Sequence, residues 1–167
     1  MELKKVIYTV NEDGIAVITM NYMKNLNAID EQMADELMYV VGAAEKDPNV
    51  KVVVLKGTDR AFSAGGDIGY FYELIQAGGE VNMDGLISKV GVVADGLKRM
   101  SKMVITSVCG AAAGAGVSLA FAGDFVIAEV EEIVEVGELG PEEIHVPEPI
   151  VDMVYVRTGE KRPLCPM

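Results

Sequence analysis

The chain has 167 residues, half of them apolar, and a formal charge of −12 from 26 acidic and 14 basic side chains. That length suits about one domain, and the acidic excess sets electrostatics against nucleic-acid or anionic-membrane partners. The two cysteines, Cys109 and Cys165, have no CxxC spacing and share the chain with a single histidine. Neither a metal site nor a disulfide framework is indicated, and a reducing cytoplasm is the expected location. No run of about 18 apolar residues suggests a membrane span, and the first ten residues do not read as a leader.

The charge is unevenly spread. Residues 129–167 hold ten acidic and three basic side chains and five of the six prolines, against 16 acidic and 11 basic in residues 1–128. This divides the chain into a 1–128 core and a 129–167 acidic, proline-containing extension.

In chain order, residues 6–9 and 14–20 are rich in β-branched side chains and flank Asp13-Gly14, which predicts an antiparallel hairpin. A helix follows, with Asp30 as N-cap and Met33, Leu37, Val40 and Val41 on its apolar stripe, ending before Asp47-Pro48. Residues 50–56 (VKVVVLK) form a short continuous apolar run, the pattern of a central parallel strand buried on both faces. After a small-residue stretch, Ile68, Phe71, Tyr72 and Ile75 recur at helical spacing until Gly78-Gly79. A second helix is predicted over residues 83–102, despite Gly85, Gly91 and Gly96. Residues 103–108 predict a strand, 110–116 (GAAAGAG) a small-residue turn, 117–122 a helix and 124–128 a strand. Strands alternating with helices make this an α/β domain.

Two joints stand out, residues 60–68 and 108–117, where a strand runs through Gly/Ala-rich backbone into a helix. Small residues let a ligand approach main-chain N–H groups, and a helix start leaves such donors unpaired. Two joints facing one pocket could hold an oxyanion between two N–H groups. The same residues could instead be small only because helices pack tightly on the sheet. A phosphate cradle fits less well, since neither joint ends in the Lys-Ser/Thr of a P-loop.

Three ordered motifs carry a resemblance: residues 24–29 (KNLNAI), 60–68 (RAFSAGGDI) and 108–124 (VCGAAAGAGVSLAFAGD), followed by FVIA. Over residues 5–128 the chain resembles the enoyl-CoA hydratase/isomerase, or crotonase, superfamily. The resemblance implies an α/β fold of the ClpP/crotonase type, a spiral of ββα units, truncated on its C-terminal side. It implies an acyl-CoA or acyl-carrier-protein thioester as substrate rather than a separate cofactor, and assembly as trimers. The thioester oxygen is expected between the backbone N–H groups of Gly66 and Ala115. Coenzyme A is expected along Leu26, Ala28, Ala64 and Ile68, with Lys24 near its phosphates. Where hydratases of the family commonly carry a glutamate, this chain has Ser118, which cannot do carboxylate acid/base work. The family's second glutamate falls, in ungapped register, on Glu138, the candidate catalytic base. With one glutamate position lost and no C-terminal helices to complete the acyl pocket, weak or absent hydratase activity is expected. A non-catalytic thioester-binding module is the alternative.

Residues 129–156 resemble instead a short stretch of the acetate or propionate CoA-transferase family, which would make the chain a composite. His145 in that stretch reads as a surface or packing histidine, and Glu131, Glu132, Glu135 and Glu138 read most simply as a solvated acidic face.

Overall fold

The computed structural model describes residues 1–76, 78 and 83–128, and the backbone of residues 154–156. Strand β1 (Val6–Val10) and β2 (Ile15–Met20) form the expected antiparallel hairpin, with Val6 opposite Met20 and Val10 opposite Ala16. A short 3-10 turn (Met23–Asn25) leads to α1 (Glu31–Lys46). Next come β3 (Val52–Lys56), the three-residue β4 (Ala61–Ser63), α2 (Ile68–Gln76) and α3 (Met83–Lys98). The remaining elements are β5 (Met103–Val108), the two-residue β6 (Ala111–Ala112), α4 (Ala115–Ala120), β7 (Phe125–Ala128) and β8 (Val154–Val156).

Two sheets result. The larger has the order β1-β2-β3-β5-β7-β8 and is parallel from β2 onward, and the smaller is a parallel pair of β4 and β6. Each of the chain's middle turns therefore repeats one device: a long strand in the large sheet, a short strand in the small one, then a helix. Parallel neighbours require such crossovers, because a tight turn can only reverse the chain. This is the α/β spiral of ββα units that the motifs implied.

The core lies on one face of the large sheet. Ala16, Ile18, Val53, Leu55, Val104 and Val126 are buried there beneath Met33, Leu37 and Val40 of α1, Val93 and Leu97 of α3 and Leu119 of α4. The other face is only half covered, which corrects the reading of the third strand. Val53 and Leu55 are buried, but Val52, Val54 and Lys56 between them are intermediate. The continuous apolar run of β3 reflects its central, parallel place; burial alternates because the packed helices all contribute to one core.

Helix α1 is anchored as its sequence suggests, and then further. Asp30 accepts from Met33 N at 2.9 Å, the capping bond that closes a free helix donor, and also pairs with Lys5. Lys5 Nζ lies 4.3 Å from the Tyr22 ring centroid. One turn into α1, buried Glu36 accepts from the backbone N–H groups of Lys4, Lys5 and Val6 at 2.8–3.0 Å. Those donors belong to the lead into an edge strand, and among the described residues no further strand pairs beyond it. The carboxylate thus acts as an end-stop that fixes α1 to β1. On its far side α1 holds α3 through Lys89, which pairs with Glu31 and, at 2.7 Å, with Asp35. Hydrogen bonds that Lys89 donates to Asp35 first, then to Glu31, raise its pKa above the ordinary lysine value.

Helix α2 differs from expectation. Its spacing predicted a packed stripe, yet Ile68, Tyr72 and Ile75 are 80, 61 and 56% exposed and no residue of α2 is buried. Only Phe71 turns toward the core. Periodicity identifies a helix but not what covers it.

Replacing Glu36 by Ala leaves three main-chain donors without their charged acceptor. It is expected to lower stability by about 3 kcal/mol, measured by urea denaturation, whereas Asp95→Ala, which breaks only an exposed pair with Arg99, stays within about 0.5 kcal/mol of the parent.

Candidate active site

The two small-residue joints are joined to each other by the small sheet. Ala61 pairs with Ala111 and Ser63 with Ala112, and Ala113 N donates to Ser63 O at 3.0 Å. Sequence reading placed residues 110–116 in a turn and did not find β4 or β6. Two- and three-residue strands are too short to show any periodicity.

Glycine makes the approach possible. A Cβ added to Gly116 would lie 2.4 Å from Ser63 O, and one added to Gly65 would lie 2.7 Å from Ala113 O and 3.5 Å from Ala115 N. Gly65 also has φ +92°, a conformation that side chains disfavour. The joints thus interlock backbone to backbone, bringing the segment before α2 against the first turn of α4.

The 24–29 motif holds the first joint from behind. Leu26 and Asn27 both take left-handed φ, 54° and 55°. Asn27 is fully buried and satisfied: its side-chain oxygen accepts from Tyr22 N at 2.7 Å and its amide donates to Ala61 O at 2.8 Å. Its own carbonyl accepts from Ser63 Oγ at 2.8 Å, and that oxygen accepts in turn from Gly65 N at 3.2 Å. Ile29 then brackets Gly66, donating to Gly65 O at 2.6 Å and accepting from Asp67 N at 3.0 Å. In such a strand-like pairing successive N–H groups alternate in direction, so the N–H between these two bonds is left over. Asp67 caps α2 through Tyr70 N at 3.1 Å and takes a hydrogen bond from Asn25.

Gly66 and Ala115 both line a cavity of about 380 Å³. Neither backbone N–H finds an acceptor among the described residues. Ala115 is the first residue of α4, where a helix leaves its donors free; the sequence reading began this helix two residues later. The remaining wall is apolar: Ile29, Phe71 and, from α3, Leu86, Val90 and Ala94 among others. Ser118 sits one turn after Ala115 and supplies the one hydroxyl among the described lining residues, none of which is ionisable.

The other predicted residues fall around this centre. Leu26 is exposed, and its carbonyl accepts from Ala64 N at 2.9 Å, which brings those two together. Ala64 is half-buried, Ala28 is buried and Ile68 is exposed at the start of α2. Lys24 is exposed and lines a second cavity of about 280 Å³ with Tyr22, Asn25, Asp67 and Tyr70. Glu138 and His145 lie outside the described residues. No group of metal-ligating side chains occurs among the described residues, and no described helix is long and apolar enough to cross a membrane.

Fold and site together define an α/β domain whose two glycine-rich strand-to-helix joints meet over an apolar cavity. Comparison with known proteins gives that class its family. The profile of the enoyl-CoA hydratase/isomerase family matches residues 10–138, and the chain belongs to that family. The match runs past residue 128, where the composition changes. The chain is 30% identical over 128 residues to the trans-2-decenoyl-[acyl-carrier-protein] isomerase of Streptococcus mutans, a match covering 77% of this chain and 48% of that protein. It is 35% identical over 133 residues to the short-chain-enoyl-CoA hydratase of Clostridium acetobutylicum, with the same coverages of 77% and 48%. An enoyl-CoA hydratase/isomerase from Xanthobacter autotrophicus Py2 superposes with a TM-score of 0.69 at 29% identity, over 78% of this chain and 48% of its own. The chain thus spans about half the length of these relatives. Nothing in these comparisons supports the CoA-transferase likeness of residues 129–156.

A methyl group at Gly116 must displace the Ser63 backbone. Gly116→Ala is therefore expected to cost about 2 kcal/mol and to lower the melting temperature, while Gly42→Ala on α1, where an added Cβ meets nothing within 4 Å, does not destabilise. Differential scanning calorimetry of the two variants checks the contrast.

Proposed function

We propose that this domain binds the thioester group of an acyl-CoA or acyl-carrier-protein and polarises its carbonyl oxygen between the N–H groups of Gly66 and Ala115. The observation that carries this reading is the pair of N–H groups without acceptors on one apolar cavity. An enolate places negative charge on that oxygen, and fixed main-chain donors stabilise it without reorganising. The names of the relatives, an acyl-carrier-protein isomerase and a CoA hydratase, agree with a thioester ligand.

Coenzyme A would extend past Leu26, Ala28, Ala64 and Ile68 toward Lys24. The exposure of Leu26, Ile68 and Lys24 leaves those side chains accessible to it. Trimer-based assembly and a cytoplasmic setting belong to the same reading.

Proton transfer is the weak half of the chemistry. Ser118 stands in the cavity where a carboxylate would be needed to move a proton, and an alcohol with an ordinary pKa is a poor general base near neutrality. Glu138 is the remaining candidate base. Hydration of crotonyl-CoA is therefore slow or absent, and the domain acts first as a binder of enolate-like thioesters. A non-catalytic thioester-binding module is the second reading, favoured by the absence of ionisable groups from the described cavity lining.

Proline at the first position of a helix keeps the helix, deletes its N–H and places a ring methylene where that N–H pointed. Gly114, with φ 49° and ψ −121°, precedes it in a non-helical conformation that glycine tolerates before proline. Titrated with acetoacetyl-CoA, an enolate-like ligand, Ala115→Pro is expected to bind at least about a hundredfold more weakly than the parent, since one oxyanion donor is lost and its place is filled by the ring. Equal affinity in a folded Ala115→Pro protein would remove Ala115 from the site, and crotonyl-CoA turnover at the rate of an intact hydratase would refute the account of proton transfer.

A further inference from the structure

The wall that α3 gives to the cavity is graded in size. Met83, Ile87 and Gly91 follow at four-residue spacing, as do Leu86, Val90 and Ala94, and all six line the cavity. Residues four apart share a helix face, so these are two adjoining rows on one side of α3. Along both rows the side chains shrink toward the C-terminal end, from Met and Leu, through Ile and Val, to Gly and Ala.

Gly91 is the extreme of that series, and packing does not account for it. A Cβ added there meets no atom within 4 Å. Gly96, five residues on, is different: its added Cβ would come within 3.1 Å of Val41 on α1, so a small residue lets those helices close. Glycine disfavours a helix interior, and at position 91 no neighbour among the described residues requires it. Gly91 is exposed, as are Met83 and Ile87, so this row forms the open side of the cavity, and the missing side chain leaves room there.

We propose that Gly91 sets the acyl-chain length the domain accepts, and that the preferred ligands are thioesters of linear aliphatic acyl groups longer than four carbons, lying along the graded face of α3. This rests on the thioester reading above and adds the substrate class. The cavity of about 380 Å³ holds roughly a dozen water-sized groups at about 30 Å³ each. A methylene is of similar size, so a four-carbon acyl group leaves most of the space empty. The lining beyond the two N–H groups and Ser118 is apolar, so each further methylene is expected to tighten binding up to about fourfold until the space is filled.

Calorimetric titration with butyryl-CoA and octanoyl-CoA tests this on the parent, Gly91→Ala, Gly91→Leu and Gly42→Leu. The last carries the same change at an equally open helix glycine on α1 that does not line the cavity. The parent is expected to bind octanoyl-CoA at least about tenfold more tightly than butyryl-CoA. Gly91→Leu is expected to lose about tenfold or more for octanoyl-CoA while butyryl-CoA stays within about twofold, with Gly91→Ala between and Gly42→Leu unchanged. Alanine is the better helix former, so Gly91→Ala carries the comparison if the leucine variant fails to fold. If the parent binds thioesters but substitution at 91 shifts both lengths equally, or neither, the chain-length role is overturned and the thioester reading stands. If the parent binds no thioester, the thioester reading itself is overturned and the chain-length role falls with it.

Discussion

Two stretches of main chain can lie against each other at van der Waals distance only where neither carries a side chain between them, and the contact of residues 63–66 with 113–116 is such a place. Ser63 O sits where a Cβ of Gly116 would be, and Ala113 O where a Cβ of Gly65 would be. From that interlock follow the pairing of β4 with β6, the approach of the α2 and α4 starts, and the shared cavity of Gly66 and Ala115. It also explains why the site is built of backbone. Segments packed this closely have no space for catalytic side chains between them, but they do present main-chain donors at fixed positions.

A pair of free N–H groups is costly unless something uses or solvates them, because a buried donor left unpaired loses its bond to water. Around Gly66 the chain satisfies almost every other polar group. Asn27 alone ties Tyr22, Thr58, Ala61 and Ser63 together, and Ile29 takes the carbonyl before Gly66 and the N–H after it. Against that network, the two donors without an acceptor among the described residues are the feature on which the proposed thioester reading rests. In the proposed thioester reading the rigidity of the network has a second effect: donors that are already in position would not have to be reorganised when charge develops.

Much of this was legible from the residues alone. The hairpin, the capped first helix, the central parallel strand and the two joints each have a local signal: Asp13-Gly14, Asp30 before an apolar stripe, VKVVVLK, and clustered glycine and alanine. The motifs at 24–29, 60–68 and 108–124 carried the family, which the profile match then established. Other features had no such signal. β4 and β6 are too short to be periodic, and the exposed stripe of α2 has the same spacing as a buried one. The apolar wall of the cavity comes from α3, whose residues read as an ordinary core-facing helix. Glu36 likewise resembled any surface acid on a helix, yet it closes three main-chain donors thirty to thirty-two residues away.

By itself the sequence determined the kind of element at most described positions outside β4 and β6, and the glycine-rich backbone of the two joints, since periodicity and glycine placement are local properties of a chain. The tertiary structure alone decided which surfaces those elements share: that two distant joints interlock, that Ser118 and Gly91 face the same space as Gly66 and Ala115, and that α2 turns its apolar stripe outward. These are matters of distance between residues far apart in order, and they are fixed only when the sheet brings successive turns of the spiral into register.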